Sequence, residues 1–167
     1  MAERMITLTS SDNKTYEASY DMMVKLSKTI SDLIVNCVSD AGDGTLTIPI
    51  LNVDGATLEK VIEWCKHHKD DAPPTEEEKE EQKEKRTDDI DEWDQNFMKV
   101  EYQVMYDLIM AANYLDIRAL LDLGCKTVAG MMKGCSSEEL RRKFNIKSDF
   151  TKEEEEQIKK ENAWCED

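Results

Sequence analysis

The chain is poor in the side chains from which enzymes and metal centres are built. Its two histidines are adjacent, His67 and His68, and its six glycines form no Walker A or G-x-G-x-x-G loop. No G-x-S-x-G elbow occurs, so neither an oriented nucleophile nor a phosphate cradle is present. Trp64-Cys65-Lys66-His67-His68-Lys69-Asp70-Asp71 holds ligand residue types, but neighbouring histidines on a helix point about 100° apart. Cys65 also falls on the apolar stripe of Leu58, Val61 and Ile62. Asp40-Ala41-Gly42-Asp43-Gly44 lacks the spacing and distal Glu of a calcium loop. The five cysteines are odd in number and show no C-x-x-C, which disfavours a disulfide framework and suits a reducing compartment. No apolar run approaches the ~18 residues of a spanning helix, and none follows Met1 as a signal would, so a cytoplasmic and nuclear protein is expected. Positive charge is short as well: 22 Lys and Arg face 37 Asp and Glu, a net charge of -15 that opposes nucleic acid and anionic lipid. The acidic runs read as solvated surface, with no enclosing pocket signal to raise a carboxylate for acid catalysis. The expectation is a protein with no cofactor or metal, not an enzyme, whose work is binding.

What is present predicts a mixed α/β domain with helices after it. The length of 167 residues suffices for a core without disulfides or metal. Met5-Ile6-Thr7-Leu8-Thr9 alternates with period two, Ser10-Ser11-Asp12-Asn13 is turn chemistry, and Thr15-Tyr16-Glu17-Ala18 can return as a second strand. A short helix is expected from Tyr20 to Leu26. Thr29 with Asp32 marks the start of another, carrying Ile30, Leu33, Ile34 and Cys37 on one face. Asp40 to Gly44 reads as a loop. Leu46-Thr47-Ile48 reads as a strand stopped by Pro49, and Asn52-Val53-Asp54 leads into the helix of Leu58, Val61, Ile62 and Cys65.

Residues 69–89 change character, with Pro73-Pro74, Glu76-Glu77-Glu78-Lys79-Glu80-Glu81 and Lys83-Glu84-Lys85-Arg86, and read as a flexible charged linker. Ile90, Trp93, Phe97 and Val100 then recur at three and four, predicting a helix with Trp93 in the core. Val104 to Leu115 is apolar on most sides and reads as a helix in the middle of the fold. Asp116 is expected to cap the next helix, which carries Leu120, Leu121, Val128, Met131 and Met132 and stops at Gly134. Ser136-Ser137-Glu138-Glu139 and Thr151-Lys152-Glu153-Glu154 are capping boxes opening two further helices.

The last stretch carries more large apolar side chains than its own helices can cover. Ile158 is the only bulky aliphatic residue of the Thr151 helix, and Phe150 at the staple position meets Glu155 rather than a hydrophobe. On a regular helix Trp164 would lie roughly 120° from Ile158. Two readings stand: a helix tucked onto its own domain, or a partner-binding surface of Phe144, Ile146, Phe150, Ile158 and Trp164. Burying four such side chains contributes roughly 6 to 12 kcal/mol gross. Association costs of about 4 to 15 kcal/mol offset much of it, so Val128, Met131 and Met132 are candidate additional contacts. The Met pair suits a surface that repacks around different ligands.

Several ordered blocks together resemble the Skp adaptors of SCF ubiquitin ligases. They are Trp64 to Asp71, Lys85-Arg86-Thr87-Asp88-Asp89-Ile90, Ala111-Ala112-Asn113-Tyr114-Leu115-Asp116-Ile117, Cys125-Lys126-Thr127-Val128-Ala129, Phe144-Asn145-Ile146-Lys147 and Glu161-Asn162-Ala163-Trp164-Cys165-Glu166. The resemblance implies a BTB/POZ-type α/β domain, a small sheet with surrounding helices, followed by C-terminal helices. Residues 1–68 would form its first part, 69–89 the linker, 90–134 the helical remainder, and 135–167 the F-box-binding helices. By position, Asn113 and Tyr114 match the family's cullin-facing pair, and Phe144, Asn145, Ile146, Phe150 and Trp164 its F-box-binding end. Tyr114 as a core residue with a satisfied hydroxyl is the bland alternative. The sequence departs from the family at Pro49-Ile50-Leu51-Asn52-Val53, at Asp88-Asp89-Ile90-Asp91, at Tyr102-Gln103-Val104-Met105-Tyr106 and at Ser136-Ser137, as a divergent paralogue would. The implied function is a noncatalytic adaptor between a cullin scaffold and F-box receptors, serving ubiquitin-dependent degradation. A homodimer of the adaptor is a further expectation when no F-box is bound. The rival readings are a self-associating BTB/POZ protein related to elongin C, whose exposed face makes a homodimer that persists with F-box bound, and an acidic chaperone-like or histone-binding protein using Glu76 to Glu84.

Overall fold

The computed structural model describes residues 4–37, 46–71 and 89–165. The loop expected at 40–44 and most of the charged linker, 72–88, lie outside the described residues. Strands β1 (Met5–Thr9) and β2 (Thr15–Ser19) form the antiparallel hairpin, and β3 (Leu46–Pro49) adds parallel to β1, giving the order β2-β1-β3. Ile6 faces Ala18 and Leu46 across the ladders and Leu8 faces Tyr16 and Ile48, so the period-two residues share one buried face. Pro49 belongs to β3 rather than stopping it. As the outer strand, β3 tolerates a residue without an N–H, and Ile50 N donates to Thr9 O at 2.7 Å beyond it.

Helices α1 (Tyr20–Leu26) and α2 (Lys28–Cys37) connect β2 to β3. The expected cap at Thr29 is a correction. Helix α2 begins one residue earlier, and Ser27 takes the cap, its Oγ accepting from Ile30 N at 3.2 Å. Helix α3 (Gly55–His67) is capped by Asp54, whose carboxylate accepts from Thr57 N at 2.7 Å, and buries Leu58, Val61, Ile62, Trp64 and Cys65.

The helix expected around Trp93 is shorter than its periodicity, α4 running only over Glu92–Phe97. Trp93 is half-buried, and Met98 beyond the helix is the buried residue of this stretch. From this half-buried position Trp93 packs against the core, and it also stacks face to face on His67, centroids 3.8 Å apart, and on Phe97. Trp64 Nε1 donates to Asp94 Oδ1 at 3.0 Å, while the ring nitrogens of His68 meet Asp94 and Asp71. Both histidines therefore dock α4 against the end of α3.

Helix α5 (Tyr102–Tyr114) buries Met105, Leu108, Ala111 and Ala112 but exposes Tyr102, Tyr106 and Met110, so it is amphipathic rather than buried all round. Asp116 corrects a second cap assignment. Its φ of 48° makes it the left-handed residue that closes α5, and helix α6 (Arg118–Met132) starts after it. Gly134, with φ of 71°, follows the end of α6 as expected.

The chain divides into two compact units, Met1–Met131 and Met132–Asp167. The first holds the sheet, α1 to α5 and nearly all of α6, with Val128 and Met131 half-buried against its core. The second contains α7 (Ser137–Lys143), α8 (Lys152–Glu161) and a single 3-10 turn, Ala163–Cys165. Both capping boxes form: Ser136 Oγ accepts from Glu139 N and Thr151 Oγ1 from Glu154 N, each at 3.3 Å, and each Glu reaches back to its cap N–H at 2.8 Å.

Candidate partner-binding sites

The first site is the end of α5. A helix leaves its last carbonyls without intrahelical donors, and buried ones must find partners elsewhere. Here the accounting closes. Ala111 O receives Leu115 N at 2.9 Å, Ala112 O receives Ile117 N at 2.9 Å and Asn113 O receives Asp116 N at 3.2 Å. Tyr114 O accepts from Thr29 Oγ1 at 3.0 Å, and Leu115 O from Ser27 Oγ at 2.6 Å. The resulting turn leaves Asn113 exposed and Tyr114 half-buried against the core. Tyr114 is thus both packed and partly presented.

Tyr102, Tyr106 and Met110 precede Asn113 at intervals of four and three along α5, so they share its face, and each is about half exposed. An open depression of about 260 Å³ adjoins Met110, lined by Ser11, Asn52, Asp54 and Asp107 among others. In the sequence Tyr102 and Tyr106 stood out only as a departure from the family, and Met110 was passed over because the helix reads as apolar on most sides. The legible signal was that its tyrosines and Met110 fall on the side away from Met105, Leu108 and Ala112.

The second site lies in the unit after Met131, where no described residue is buried. Trp164 is 76% exposed, Ile146 57% and Phe150 48%, and Met132 and Ile158 are also exposed. Phe144 is half-buried at the end of α7, and Asn145 beyond it takes a left-handed φ of 51°. That turn lets Ile146 N donate to Arg141 O at 2.8 Å, and residues 146–149 after it form no helix or strand. Helix α8 ends at Glu161, so Trp164 sits in the 3-10 turn and not on a continued helix.

Polar contacts organise this unit. Glu155 accepts from Arg141 at 3.0 Å and from Ser148 at 2.8 Å, Lys159 donates to Glu138 at 2.6 Å, and the Arg141 guanidinium lies 5.9 Å from the Phe150 ring centroid. The Lys159 ammonium holds the Glu138 carboxyl below its ordinary range, and the cap N–H groups of Ser136 and Thr151 do the same for Glu139 and Glu154. Such exposed pairs fix geometry more than they stabilise.

Burial pushes the Cys65 thiol up to about 12, leaving it protonated and unreactive at neutral pH. Among the described residues, no group of three or more His, Cys, Asp or Glu could hold a metal ion, and no helix is long and apolar enough to cross a membrane.

Comparison with known proteins covers almost the entire chain. Residues 4–70 match the tetramerisation domain of the Skp1 family and residues 118–165 its dimerisation domain. The SCF subunit sconC of an E3 ubiquitin ligase complex from Emericella nidulans is 56% identical over 167 residues, spanning 100% of this chain and 99% of that protein. A Skp1-related protein of Caenorhabditis elegans is 53% identical over 99% of this chain and 93% of its own length. A sconC protein of Arthroderma otae is 51% identical over 99% of this chain.

Proposed function

The chain belongs to the Skp1 family, and from that premise we propose that it is a noncatalytic adaptor of an SCF-type ubiquitin ligase, joining a cullin to F-box receptors. Binding geometry is its activity. The observation that carries the assignment of the second unit is its exposed Ile146, Phe150, Ile158 and Trp164 without a buried residue beneath them. An F-box would cover these side chains, together with Met132, Phe144 and Asn145 of the same unit. A cullin would take the edge of Asn113 and Tyr114 on the first unit. Cytoplasm and nucleus are the proposed locations, which imaging of the tagged protein would check.

Titration of the full chain with an F-box domain and, separately, with a cullin tests the assignment. Trp164→Ala is expected to weaken the F-box complex by about 2 kcal/mol or more, as a central aromatic anchor does, while cullin binding stays intact. Asn113→Lys with Tyr114→Lys should do the reverse. Loss of folding in Trp164→Ala, seen by melting, would instead make Trp164 core. A chain lacking residues 76–84 is expected to bind both partners, and loss of both would favour the acidic-binder reading.

The match of residues 118–165 to a dimerisation domain supports a second reading, a homodimer that covers the same apolar side chains when no F-box is present. Sedimentation with and without an F-box fragment separates them: the adaptor should be monomeric once the fragment is bound.

A further inference from the structure

We infer that Thr29, supported by Ser27, is a positioning residue for cullin binding; the inference rests on the assignment of Asn113 and Tyr114 to the cullin. Both hydroxyls donate to the end of α5, Thr29 to Tyr114 O and Ser27 to Leu115 O.

Ser27 is fully buried and fully used. Its Oγ accepts from Ile30 N, which starts α2, and its single proton goes to Leu115 O. One hydroxyl therefore joins the beginning of α2 to the end of α5. Thr29 sits two residues on, in the first turn of α2, half-buried, with its Oγ1 on the carbonyl of the residue proposed to face the cullin. A threonine placed there as a helix cap would bond its own helix. This one donates across the fold, to a carbonyl that α5 itself cannot satisfy.

The consequence is mechanical. The peptide planes at Tyr114 and Leu115 are held from one side by α2, while the left-handed Asp116 and the Ile117 N to Ala112 O bond hold them from the other. Removing the Thr29 hydroxyl leaves Tyr114 O to turn toward water, taking the last turn and the Tyr114 ring with it. A partner reading Asn113 and Tyr114 would then have to reorder that turn on binding. The cost should appear in cullin affinity and not in F-box affinity.

The test uses the full chain. Thr29→Val keeps the branched shape and removes the donor. It is expected to weaken cullin binding about three- to tenfold, the net worth of one neutral hydrogen bond, with F-box affinity unchanged. Amide exchange at Asp116 and Ile117 should accelerate, and Thr29→Ser should restore both readouts. Wild-type cullin affinity in Thr29→Val, alongside loss of binding in Asn113→Lys with Tyr114→Lys, would overturn the inference but spare the site. A parallel fall in F-box affinity, or no rescue by Thr29→Ser, would overturn it as well, marking a general loss of structure. Cullin binding that survives Asn113→Lys with Tyr114→Lys would remove the site and the inference together. If Thr29→Val melts below the assay temperature, wild-type chain decides: cullin should slow exchange at Asp116 and Ile117, an F-box should not, and equal rates would overturn the inference.

Discussion

The two units are stabilised by different physics. In Met1–Met131 the sheet and helices bury Ile6, Leu8, Met23, Ile30, Leu58 and Leu108 to within a few per cent of complete exclusion from water. In Met132–Asp167 every described residue keeps contact with solvent, and structure comes from two capping boxes, a few ion pairs and a left-handed turn. Burial of one large aliphatic side chain contributes about 1.5 to 3 kcal/mol, an exposed ion pair about 0 to 1. The first unit can therefore stand by itself. The second keeps its large apolar side chains exposed, as the proposed F-box site requires.

The contrast can be broken by mutation. Leu108→Ala should cost the first unit about 2 to 5 kcal/mol in chemical denaturation, because a fully buried side chain leaves a cavity; Trp164→Ala should leave the melting temperature of the free chain where it was. Next in size, Gly124→Ala should cost about 1 to 3 kcal/mol, since an added Cβ would run into Ile109 between α5 and α6. Smaller still, Ser136→Ala and Thr151→Ala should each cost about 0.5 to 2 kcal/mol of local helix stability. Faster hydrogen exchange in α7 or α8, with no change in the first unit, is the readout.

Acid offers the finest comparison. Glu138, Glu139 and Glu154 have folded values below their ordinary 4.5, so their contribution is complete above that pH and is lost as pH falls beneath it. Asp12 in the first unit is held down to about 2 from 3.8 by the Ser10 hydroxyl, then by Lys14 and the Gly55 N–H. Its contribution is complete above 3.8 and gone near 2. On acidification, amide protection in α7 and α8 should fade before protection at Gly55 does. Simultaneous loss would mean that the units are energetically one.

What the sequence revealed depended on distance along the chain. The caps at Ser136 and Thr151 were legible because donor and acceptor lie three residues apart, and the strands because alternation is local. The cap at Thr29 was misread for the complementary reason: its partner is Tyr114, 85 residues away, and no pattern near Thr29 reveals it. Asp116 was misplaced because an aspartate before a helix is ambiguous between a cap and a left-handed stop. Trp93 was expected in the core on periodicity; it packs against the core but stays half-buried, stacked on His67. The surplus apolar side chains after Met131 were legible as a surplus. Phe144 proved half-buried, and the exposed face of α5 needed the fold to be seen.

The bond from Ser27 to Leu115 spans 88 residues, so the turn bearing Asn113 cannot be completed until most of the first unit has been synthesised and closed. Contacts of such long range are made late, after the entropy of a large loop has been lost. A truncated or half-folded chain would keep α7 and α8, whose caps are local, yet lack the ordered end of α5. Such a chain could engage a receptor without reaching the scaffold. On the proposed assignment, loss of scaffold binding alone would report a first unit that has failed to close.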